Sequence, residues 1–191
     1  MRCLMCEELS SSHICKVCQE IFLTPSLYKR KIINNIEVIS FYKYSDIKKL
    51  LHTKHTDLGY YIYNILAKSS FKKFASEFEF VHTVTAIPID DNIKSGYSHT
   101  AILNKALKSE TITPLYNKLK ATNRVSYSGK SKEFRLLHPR NFVLKDFEAN
   151  DVILVDDIIT TGSTLTQAIG TLQRANKEVL FCLTLADAGL K

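Results

Sequence analysis

One segment constrains the fold more than any other: Val152-Ile153-Leu154-Val155-Asp156-Asp157-Ile158-Ile159-Thr160-Thr161-Gly162-Ser163-Thr164-Leu165. Four consecutive apolar residues make a strand that must be covered on both faces, the pattern of a parallel strand between helices. Two carboxylates are expected at its C-terminal tip, followed by a small hydroxyl-rich loop and a helix. In open parallel sheets ligands bind beyond the carboxyl ends of the strands. Thr160, Thr161, Gly162, Ser163 and Thr164 would offer backbone N–H groups and hydroxyls at a helix N-terminus, a favourable seat for a phosphate dianion. Gly162 lets the backbone close around such an anion. An acidic pair placed ahead of this loop suits a 5-phosphorylated ribose, with Asp156 and Asp157 on the sugar hydroxyls and amides on the phosphate. The chain has neither G-x-x-x-x-G-K-[ST] nor G-x-G-x-x-G, so Walker and dinucleotide sites are excluded.

The surrounding pattern agrees with a layered α/β fold. Residues 36–44 alternate as a strand, Ser45-Asp46 opens a short helix to about residue 54, and Thr56-Asp57 opens a longer one. Leu58, Tyr61, Ile62, Ile65, Leu66 and Phe71 recur at helical spacing and read as core. From Val81, strands and helices alternate: strand 81–87 ending at Pro88, helix 98–109, strand 112–116, strand 151–155, helix 163–175, strand 178–186. Such alternation implies a mostly parallel sheet with flanking helices. The stretch 119–140 shows no period and reads as a long functional loop. The 36–80 region is taken as a helical lead-in and 81–191 as the nucleotide-binding core of one domain spanning 36–191.

The first 25 residues form a separate module. Cys3, Cys6, Cys15 and Cys18 make two C-x2-C pairs eight residues apart. Two knuckles bringing four thiolates together suit tetrahedral zinc in a small ribbon. Disulfides are the alternative, disfavoured in a cytosolic chain. A closed four-thiolate shell leaves no position for substrate, so this metal is expected to be structural. Cys182, in an apolar run, reads as a buried strand residue, and His13 as a neighbour of the metal shell.

Charge is unevenly spread. The chain has 26 Lys and Arg against 19 Asp and Glu, a net of +7. The window 105–145 alone holds ten basic and two acidic residues. It therefore attracts phosphates, on a nucleotide or a nucleic acid, unless it is simply a solvated lysine-rich face. Lys118, Lys120, Arg124, Lys130, Lys132, Arg135 and Arg140 are the candidate DNA contacts, with Tyr116, Tyr127 and Phe134 placed to stack on bases. No apolar run is long enough to span a membrane. The N-terminus lacks the apolar core of a secretory signal, so a cytoplasmic location is expected.

Residues 152–165 resemble the phosphoribosyl-pyrophosphate loop of type I phosphoribosyltransferases. With the four-cysteine module in front, the chain is similar to the competence protein ComF family (ComFC type). Ala86-Ile87-Pro88-Ile89 matches the family's Val-Pro-Val-Pro-like element, while Ser95-Gly96-Tyr97-Ser98-His99 stands where the family carries Arg-Gly-Phe-Asn-Gln. The resemblance implies phosphoribosyl pyrophosphate with Mg2+ at Asp156, Asp157 and 160–164. It also implies handling of incoming single-stranded DNA in natural transformation, and a ComFA-type helicase ATPase as partner at the inner face of the cytoplasmic membrane. A second reading is an active phosphoribosyltransferase acting on a base or amine. A third is a ligand-responsive regulator, for which no helix-turn-helix pattern is found.

Overall fold

The computed structural model describes residues 1–89, 93, 96–123 and 132–190. Its centre is a six-stranded sheet built from β1 (Tyr28–Lys31), β2 (Glu37–Lys43), β3 (Val84–Pro88), β4 (Ile112–Pro114), β7 (Asp151–Ile159) and β8 (Glu178–Asp187). The order across the sheet is β1-β2-β8-β7-β3-β4, parallel throughout except for the antiparallel edge strand β1. β5 (Leu119–Ala121) and β6 (Phe142–Leu144) form a separate antiparallel ribbon. The fold is therefore α/β with a mostly parallel sheet.

The helices are α1 (Lys16–Phe22), α2 (Tyr44–Leu51), α3 (Asp57–Ser69), α4 (Phe71–Glu77), α5 (His99–Ala106), α6 (Lys132–Leu137) and α7 (Ser163–Arg174). Helices α2 to α5 cover one face of the sheet, and α7 covers the other. The pleat of β7 divides its apolar side chains accordingly: Ile153 and Val155 join Phe41, Ile62, Leu66 and Leu103 on the first face. Val152 and Leu154 join Leu165, Ile169 and Leu172 on the second. All four of these β7 side chains are fully buried. Burying each contributes on the order of 1.5–3 kcal/mol, which is why this strand sits at the centre of the sheet.

Several expectations need correction. Strand 81–87 begins only at Val84, since Val81 is exposed. The helix expected from Ser45-Asp46 starts at Tyr44, with Lys43 at the N-cap position and no side-chain cap bond, and gives way to a 3-10 turn at His52–His55. In α3 the buried stripe is Ile62, Tyr63, Leu66 and Ala67, whereas Tyr61 is exposed and meets the His13 ring at 4.9 Å. Stretch 119–140 is not all loop, because β5 and α6 lie within it. β7 runs on to Ile159. The two aspartates therefore lie within a strand rather than beyond its tip.

Candidate phosphate loop and cysteine cluster

In extended backbone, successive side chains point to opposite faces. Asp156 accordingly follows Val152 and Leu154 toward the α7 side, and Asp157 follows Ile153 and Val155 toward α3 and α5. Asp156 lines a cleft of about 190 Å³ together with Ile158, Ile159, Thr160, Gly162, Ser163, Thr164 and Leu165. That volume includes space open to solvent, so the cleft can seat a phosphate-sized group with the remainder of a ligand in the open. Thr161 turns its hydroxyl onto Ser163 Oγ at 2.8 Å. Gly162 is the N-cap residue with φ of +81°, and its carbonyl accepts from Thr166 N at 2.9 Å. An added Cβ would stand 3.2 Å from Ile32 Cγ2. Glycine is thus favoured by the positive φ, and a side chain here would also press on Ile32. The leading N–H groups of α7 have no carbonyl one turn back to bond, and they carry the positive end of the helix dipole.

Asp157 belongs to a different constellation. Its Oδ2 accepts from Lys54 Nζ at 2.8 Å and from Tyr63 OH at 3.3 Å, with His99 Nε2 at 3.4 Å. Burial alone would raise this carboxyl, but Lys54 and His99 outweigh it and hold it well below the usual carboxylate range. The buried Tyr63 phenol is pushed up, first by burial and then by the Asp157 charge. Lys54 sits in the 3-10 turn, whose backbone is fixed by Tyr97 OH donating to Lys54 O at 2.9 Å. The acidic pair is thus split: Asp156 at the loop cleft, Asp157 committed to a cation. Sequence reading missed Lys54, Tyr63 and His99, since nothing local ties residues 54 and 157.

At the N-terminus the four cysteine sulfurs lie within 4.8 Å of one another, a set that could hold a metal ion. Cys6 Sγ and Cys15 Sγ stand 3.8 Å apart. Metal–sulfur bonds of about 2.3 Å in a tetrahedron place sulfurs roughly 3.8 Å apart, so the spacing fits zinc. Backbone N–H groups aim at the sulfurs: Met5 and Cys15 donate to Cys3 Sγ at 3.4 and 3.3 Å, and Cys18 donates to Cys15 Sγ at 3.4 Å. Burial opposes ionisation of Cys3, yet the backbone N–H groups of Cys15, Cys6 and Met5 lower its thiol to about 6. All five cysteines are free of disulfides, and Cys182 is fully buried with its thiol pushed up by burial.

Lys118 Nζ donates to Asp146 O at 2.7 Å, which ties it to its own ribbon. Lys120 is exposed on β5. Arg140 is half-buried, its backbone N–H donating to Gln167 Oε1 of α7 at 2.7 Å. Lys132 and Arg135 belong to α6, their side chains lying outside the described residues, as do Arg124, Lys130 and Tyr127 altogether. Phe134 stacks on His138 with ring centroids 4.2 Å apart.

No curated protein matches the chain. Among solved structures, a hypoxanthine phosphoribosyltransferase from Staphylococcus aureus is similar at 16% identity and a TM-score of 0.39. That likeness covers 65% of this chain and 62% of the other, so this chain spans less than two thirds of that protein's length. A family model described as PRTase-CE matches residues 23–188, from the last turn of the cysteine module to the end of β8. The protein is a member of the PRTase-CE family.

Proposed function

We propose that this chain binds phosphoribosyl pyrophosphate and transfers its phosphoribosyl group with loss of pyrophosphate. The observation that carries this is the cleft that Asp156 lines together with Thr160, Gly162, Ser163 and Thr164 at the start of α7. The loop takes the 5-phosphate and Asp156 accepts from the ribose hydroxyls. Mg2+ is usually held by one or two carboxylates plus substrate oxygens, and Asp156 fits that part while Asp157 is engaged by Lys54. When bound, the ion would neutralise charge on the departing pyrophosphate. The protein's own contribution is positioning and electrostatic support of the positive charge that develops at C1. Calorimetry with phosphoribosyl pyrophosphate and Mg2+, followed by pyrophosphate release across bases and amines, tests both stages. Absence of binding by the folded protein rejects the reading.

The cysteine cluster, in the same reading, holds structural Zn2+, and metal analysis of the purified protein checks it. A second reading is the handling of single-stranded DNA by a competence-type protein beside a helicase ATPase at the membrane's inner face. It draws on the charge of residues 105–145 and on exposed Lys120, whose ribbon adjoins α7 through Arg140 and Gln167. Among the described residues no helix is long and apolar enough to cross a membrane. Affinity for single-stranded DNA should fall steeply with salt. A flat response removes this reading.

A further inference from the structure

Edge strand β1 reaches the phosphate loop through one side chain. Arg30 Nη2 donates to the carbonyl of Thr160 at 2.5 Å, and Arg30 Nε stands 3.2 Å from Asp187 Oδ2 as an ion pair. Asp187 in turn accepts from Gly189 N at 2.7 Å, and Ala188 N donates to Ile159 O at 2.8 Å. Gly189 leaves room for the guanidinium, since a Cβ there would lie 2.8 Å from Arg30 Nη1. Two residues further along, Ile32 lies against Gly162. Arg30 and Ile32 therefore support the loop at its first and third residues, and neither lines the cleft.

A trans peptide is planar, and its C=O and N–H point in opposite directions. A guanidinium that fixes the Thr160 carbonyl therefore fixes the direction of the Thr161 N–H, away from Arg30. We infer that Arg30 is a positioning residue for the anion site: it sets the 160–161 peptide, whose orientation the Thr161 N–H reports, and with it the course of the loop whose Thr160, Gly162, Ser163 and Thr164 line the cleft. This rests on the reading of the 160–164 loop as the 5-phosphate seat. Arginine suits the task because its planar fork serves two partners at once, whereas lysine is a point donor. Asp187 offsets its charge and holds the fork in register, so the loop is ordered before ligand arrives and less ordering is left to binding.

The test uses the full chain with Arg30→Met and Arg30→Lys. In ligand-free protein, the residual dipolar coupling of the Thr161 N–H reports its direction. Arg30→Met is expected to collapse that coupling toward zero, while couplings in α7 stay at wild-type values. Affinity for ribose 5-phosphate, read by calorimetry, is expected to fall about tenfold in Arg30→Met. Arg30→Lys, which keeps the charge but not the fork, is expected to fall between the two, and it serves alone should Arg30→Met not fold. Wild-type coupling and wild-type affinity in folded variants overturn the inference. Wild-type protein that does not bind ribose 5-phosphate overturns the phosphate reading instead, and the dipolar coupling still decides the tether.

Discussion

Asp156 and Asp157 are neighbours in sequence but face opposite sides of the sheet, because the strand that carries them extends to Ile159. Asp156→Asn is expected to weaken binding of phosphoribosyl pyrophosphate by about tenfold or more with little change in melting temperature, since the amide oxygen can still accept from Asp157 N, as Asp156 Oδ1 does at 2.8 Å, while the charge facing the cleft is lost. Asp157→Asn should do the reverse, lowering stability by about 1–3 kcal/mol with the ribose-phosphate cleft intact. Calorimetry and thermal melts on the two variants separate these outcomes, and equal loss of affinity in both would unite the pair again.

The same carboxylate gives a pH signature. Asp157 is held below its ordinary range, so its stabilising share is complete above the unfolded carboxylate value of about 3.9 and disappears as pH falls through the lower folded value. Lys54→Met leaves the carboxylate buried without its nearest cation, at a cost of about 3–5 kcal/mol near neutrality. Protonation relieves that burial. The gap between variant and wild type should therefore narrow as the solution is acidified, which denaturant unfolding at pH 7 and pH 4 measures. A gap that widens in acid rejects the assignment of Lys54 as the stabilising partner.

At the scale of elements, the loop between β7 and α7 depends on Gly162, whose φ of +81° and contact with Ile32 disfavour any side chain. Gly162→Ala is expected to cost about 1–2 kcal/mol of stability and to weaken ribose 5-phosphate binding about tenfold. Undiminished affinity at unchanged stability would show that the turn tolerates another course. This element was readable in the sequence because each of its signals is local: an apolar run, acids, hydroxyls, one glycine. The middle of α3 shows the limit of that method. Helical spacing marked Ile62 and Leu66 correctly but also Tyr61, which faces outward, and passed over Tyr63, whose hydroxyl bonds a carboxylate 94 residues away. Edge strand β1 carries Tyr28-Lys29-Arg30-Lys31, a polar run with no apolar alternation, and it was invisible for that reason. What it needs is the unpaired edge of β2, a non-local partner that no window of the chain contains.

For the molecule as a whole, the question is whether the cysteine module is an appendage or part of the fold. Cys3, Ile14, Cys18 and Leu23 are each 3% exposed or less and share one apolar cluster with Phe41, Ile62 and Leu66. Tyr42 OH donates to Leu23 O at 2.9 Å, and Ser26 N donates to Phe41 O at 3.0 Å, so module and sheet are joined by polar bonds as well. A segment this short cannot bury a core alone, and were a metal held by its four sulfurs, the affinity for that metal would be folding free energy. Because its side chains complete the α2–α5 side of the sheet, that free energy must reach the domain. Coupling even about 3 kcal/mol of it shifts the midpoint of a chain this size by roughly 6–12 °C. Chelation, or Cys3→Ser with Cys18→Ser, is therefore expected to lower a single cooperative melting transition. Two separate transitions, with the upper one unmoved, would make the module independent despite its buried seam.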